Sequence, residues 1–122
     1  MARFLTVLKP RSATTPAALI EALQPLLQGL QAEVDHRTTA HLSALLRGGQ
    51  EQLRMQLFAD VQSKADGRVL EVVVLSREAM GSTAPHTRQT FERLLELIPT
   101  HVHTMALSFR SDRDGPLPTA TS

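Results

Sequence analysis

The sequence predicts a single α+β domain of β-α-β-β-α-β order: a ferredoxin-like, split β-α-β sandwich with a four-stranded, mainly antiparallel sheet and two helices on one face. Three observations lead there. A chain of 122 residues with 42% hydrophobic content can form one core. Two stretches repeat apolar residues at helical spacing, and four short stretches are patterned as strands. The domain is expected over residues 1–110, followed by a mobile polar tail at 111–122.

Residues 4–9 place Phe4 and Leu8 on one face and Leu5 and Val7 on the other, as in a buried strand. Thr14 and Thr15 before Pro16 form an N-cap signal with proline in the first turn. Leu19, Leu23, Leu26, Leu27, Leu30 and Val34 then recur at helical spacing. Pro25 removes one i→i−4 bond, so this helix is bent or broken there. Residues 35–49 form an insertion that fits a short helix carrying Leu42, Leu45 and Leu46, an irregular excursion, or an additional strand.

From 52 to 62, Leu53, Met55, Leu57, Ala59 and Val61 alternate with polar residues, broken only by Phe58, which predicts a half-exposed edge strand. Asp66-Gly67 marks a hairpin turn. The second arm, 69–75, is apolar on both faces except at Glu71, as expected of a central strand. A second helix should run over 84–98, with Pro85 in its first turn, a stripe of Phe91, Leu94, Leu95 and Ile98, and Pro99 as its stop. A last strand is expected over 102–109.

The composition excludes several function classes. The chain has no Cys, so disulfides, thiolate metal sites and thiol nucleophiles are ruled out. No apolar run approaches the ~18 residues of a membrane span, and the first helix carries Gln where an interfacial helix would carry Lys or Arg. The expectation is a cytoplasmic protein with no membrane partner. The net charge of +1 and the aromatic content of 3% suit neither a nucleic-acid footprint nor a stacking platform. The preference for Arg over Lys accompanies a lack of Tyr and Asn, and a GC-rich, bacterial genome explains all three.

The chemical candidates are few. His101 and His103 lie two apart at the entry to the predicted last strand, where both would point the same way as acid-base groups or, with His36, His41 or His86, as metal ligands. The spacing alone commits to no metal and to no cofactor. Gly81, Ser82 and Thr83 precede the second helix and could receive an anion, although helix capping accounts for the same residues. Glu92 and Glu96 read as ordinary helix-surface charges.

The feature that asks for a partner is the sheet. Helices on one face leave the other in water, yet Val69, Val73 and Leu75 share one face of a strand whose other face is equally apolar. A homodimer packed sheet to sheet, or residues 35–49 folded over as a lid, would cover them. The function expected is therefore an interaction module that self-associates or binds a protein partner. The alternative is a cofactor-free small enzyme or small-molecule binder of the dimeric α/β-barrel type.

Overall fold

The computed structural model describes residues 2–48, 53–65, 67–78 and 85–111. Its elements are β1 (Ala2–Pro10), α1 (Pro16–Glu21), α2 (Gln24–Gly29), β2 (Glu33–Arg37), β3 (His41–Gly48), β4 (Leu53–Lys64), β5 (Gly67–Ser76), α3 (Pro85–His101) and β6 (Met105–Arg110). The six strands form one sheet of order β2-β3-β4-β5-β1-β6. Every neighbouring pair is antiparallel.

This corrects the expected four-stranded ferredoxin-like sandwich: the sheet has six strands. The extra pair is the β2–β3 hairpin, formed from the insertion at 35–49 and the residues just before it. It extends the sheet beyond β4 and does not fold across it as a lid. β4 is consequently an internal strand bonded to both β3 and β5, not an edge. Edge positions belong to β2 and β6.

The pleat sorts side chains between two faces. Ala2, Phe4 and Leu8 of β1, Leu42, Ala44 and Leu46 of β3, Met55, Leu57 and Ala59 of β4, and Leu70, Val72 and Val74 of β5 all enter one buried cluster. Leu19, Ile20, Leu23, Leu26 and Leu27 of the α1–α2 arm complete it, with Phe91, Leu94, Leu95 and Ile98 of α3. Phe4 and Phe91 stack with ring centroids 5.3 Å apart, and the Arg88 guanidinium lies 5.2 Å from the Phe4 centroid. The helices thus cover one face of the sheet.

Local chemistry explains the ends of these elements. The Thr15 side chain accepts a hydrogen bond from Ala18 N–H, and Pro16 opens α1. The expected interruption lies at residues 22–23, and Pro25 falls in the first turn of α2, where its missing N–H costs least. α2 closes with Gln31 at φ +56°, Gln31 N–H on Gln28 C=O and Ala32 N–H on Leu27 C=O. This is a Schellman closure in which a non-glycine occupies the left-handed position.

α3 runs past Pro99 to His101, because a proline in the last turn removes only one intrahelical bond. At its start, Glu78 accepts from His86 N–H, Thr87 N–H and the Thr87 hydroxyl. Desolvation pushes this carboxyl up, but those hydrogen bonds prevail and hold it below the ordinary range. β6 begins at Met105, three residues later than the sequence suggests. It is irregular against β1 between Val7 and Leu8, and the Thr6 hydroxyl donates to Phe109 C=O at 2.7 Å beside that shift.

Two substitutions check the backbone reading. Gly67 sits at φ +132° with open space where a Cβ would stand. Gly67→Ala should therefore lose about 1–2 kcal/mol from backbone strain alone in urea unfolding. Gln31→Gly should gain about 0.5–1 kcal/mol by relieving the left-handed cost in the α2 closure.

Candidate functional site

The face of the sheet opposite the described helices can be read row by row from the strand register. Its central row is Ser43, Phe58, Val73 and Leu5 on β3, β4, β5 and β1. On one side lies the row Leu45, Gln56, Leu75 and Arg3. On the other lies His41, Asp60, Glu71, Val7 and Phe109. Beyond Leu45 and Gln56, Arg47 stands directly opposite Arg54.

The middle of this face is apolar. Leu5 and Phe109 are buried, at 1% and 8% exposure, while Val7, Phe58, Val73 and Leu75 are half-buried. None of these residues belongs to the cluster beneath the helices. The expected interface residues Val69, Val73 and Leu75 share this face, with Val69 buried near its end at 7% exposure.

A polar group lies beside the apolar centre, toward β2. His41 Nδ1 is 2.6 Å from Asp60 Oδ1 across the β3–β4 pair. The His36 ring lies 5.8 Å from that of His41, and Phe58 lies 6.2 Å from it on the other side. Asp35 receives the Ser43 hydroxyl on one oxygen and the Gln56 amide on the other. The Ser43 bond first, then that from Gln56, holds the Asp35 carboxyl below its ordinary value of 3.8. With its hydroxyl committed to Asp35, Ser43 is not aligned as a nucleophile toward His41.

The histidines proposed from sequence are placed differently. His101 ends α3 and His103 lies in the turn before β6, so the same-face strand pair does not form. His101 packs on the α2–α3 contact: a Cβ on Gly29 would stand 3.5 Å from its Nε2 and 3.2 Å from Leu97 Cδ1. Its Nδ1 lies 2.7 Å from the Thr100 hydroxyl. His103 is exposed, and its C=O accepts from Arg11 Nε. Among the described residues, no three His, Asp or Glu side chains are grouped to hold a metal ion.

Gly81, Ser82 and Thr83 lie outside the described residues. The α3 donors they were expected to offer an anion are in part already taken, since Glu78 accepts from His86 and Thr87 N–H. A cavity of about 580 Å³ lined by Lys9, Thr14, Ser63, Lys64 and Arg68 opens at the far end of the β4–β5 hairpin. It shares no residue with the His41–Asp60 pair, so concavity and acid-base chemistry do not coincide.

Sequence reasoning missed His41, Asp60, Asp35 and Ser43 as a group. The available signal was the alternation of His41, Ser43 and Arg47 with Leu42, Ala44 and Leu46, which is that of a strand. Compared with models of protein families, with curated proteins and with solved structures, the chain matches none.

The Asp35 bonds give a pH prediction. A carboxyl held low in the folded state stabilises it above the unfolded value, and that contribution fades as pH falls through the folded midpoint. Ser43→Ala should move the Asp35 midpoint up toward the ordinary value in a carbon-detected NMR titration. An unmoved midpoint would remove the Ser43 hydroxyl as the cause.

Proposed function

We propose that this protein is a non-enzymatic interaction module whose working surface is the face of its sheet opposite the described helices. The observation that carries this reading is the contiguous apolar centre of that face on four neighbouring strands, where Val7, Phe58, Val73 and Leu75 stand half-buried beside the buried Leu5 and Phe109. Six strands at ~4.8 Å spacing and about eight residues at ~3.3 Å make a plate of roughly 24 by 26 Å. That is comparable to the ~800 Å² per partner of a standard protein interface. Polar residues border the apolar centre on both sides along the strands, which gives the dry middle and wet margin of a docking surface.

A second reading rests on the His41–Asp60 pair, whose 2.6 Å contact fixes the imidazole as an acid-base group requires. The pair stands on a broad sheet surface, separate from the cavity beside Lys64 and Arg68, and the interaction reading accounts for more of the face. The two readings separate by substitution, because His41→Ala removes the acid-base group while leaving the apolar centre in place.

Val73 lies between Phe58 and Leu5 on the open face, so Val73→Asp tests the proposal. The native chain should scatter light at micromolar concentration as an assembly heavier than its 13.4 kDa monomer. The variant should keep its circular dichroism spectrum and return to monomer mass, with affinity lower by at least about tenfold, as expected when a charge enters a dry interface. A native chain that stays monomeric throughout that range sinks the reading.

A further inference from the structure

The occupant of the open face can be read from its charges. Arg47 and Arg54 are cross-strand neighbours, with Cβ atoms about 5 Å apart by sheet geometry. Asp60 and Glu71 are likewise direct neighbours on β4 and β5. Like charges set opposite each other weaken a sheet, and this face has two such pairs of opposite sign. Among the described residues, Arg47, Arg54 and Glu71 make no ion pair or hydrogen bond through their side chains, and Asp60 meets only His41. The basic and acidic pairs lie on opposite sides of the apolar centre, six residues or about 20 Å apart along β4.

Resting on the reading of this face as a docking surface, we infer that its occupant is a second copy of the chain, packed face to face about a two-fold axis that crosses the strands between Gln56 and Phe58. That axis sets the Arg54 row over the partner's Asp60 row and the reverse, so both like-charge pairs are relieved at once. Arg47 comes over the partner's His41 at the edge of that acidic row. Leu75 comes over the partner's Val73, and Gln56 over the partner's Phe58. Arg77, exposed just beyond β5, falls near the partner's Glu71. An axis running along the strands would instead stack arginine on arginine and carboxylate on carboxylate. The charge pattern is self-complementary in one orientation, which favours a copy of this chain over an unrelated partner.

The test uses the full chain at micromolar concentration, with sedimentation velocity reporting the dimer dissociation constant. Arg54→Glu and Asp60→Arg should each raise that constant at least about tenfold, and the double variant should return to within about threefold of the native chain, because the swapped charges meet across the axis. Since the chain has no cysteine, Lys64→Cys gives a single spin-label site. The crossing axis places the two labels about 45 Å apart, whereas an axis along the strands keeps them within about 25 Å. Restoration by the double variant together with the long distance supports the inference. A dimer that Val73→Asp dissociates but that ignores the charge variants, or that shows the short distance, overturns this arrangement and leaves the docking face standing. A dimer untouched by Val73→Asp, or a native chain that is monomeric at these concentrations, overturns both.

Discussion

The stacking of Phe4 on Phe91 joins the second strand from one edge of the sheet to its longest helix, and the two-sided character of the molecule follows from it. With Phe4 facing α3, the pleat commits Ala2, Thr6 and Leu8 to the same side and Leu5 and Val7 to the other. Register then carries that choice across β5, β4 and β3, because a one-residue slip on any strand would exchange its two faces. The α1–α2 arm and α3 need every apolar residue on their side. Among the described residues no helix packs on the opposite face, where Val7, Phe58, Val73 and Leu75 are half-buried and Leu5 and Phe109 are buried.

Much of this was legible in the sequence because it was local. Thr15 and Pro16 marked a helix start, Gly67 a turn, and Phe91, Leu94, Leu95 and Ile98 a buried stripe. The β2–β3 hairpin was harder to read. Leu42, Leu45 and Leu46 satisfy helical spacing, and Leu45 falls on the opposite side of β3 from the other two, masking the alternation. β2 is exposed at every residue, so it has no alternation to detect. The polar side of β4 reads in the sequence as the mark of an edge. Alternation reports which face is wet, not where a strand lies across the sheet, and β4 is internal with one wet face.

The candidate site was less legible than the fold because it is made by register. Asp60 meets His41 from nineteen positions away, and Asp35 meets Gln56 from twenty-one. Neither pairing has a spacing signature, since the first depends on the register of β3 against β4 and the second on that of β2, β3 and β4 together. The His101 and His103 pattern was local and therefore visible, but it assumed a strand where the chain makes a helix end and a turn. Val69, Val73 and Leu75 stand out in the sequence because a strand that is apolar on both faces is conspicuous however its neighbours are arranged, and the register sets all three on one face.

β2 has a consequence for how such a sheet can grow. An outer strand offers unpaired N–H and C=O groups to any other chain, and repeated pairing there leads to fibres. Here Glu33, Asp35, His36 and Arg37 put polar and charged groups along that border, and the register shift between Val34 and His36 breaks its regularity. Another strand laid beside it would meet interrupted bonding and charges on both sides. Lateral accretion along this border is thereby discouraged, whereas the two-fold association proposed for the broad surface would close on itself and stop growing at two copies.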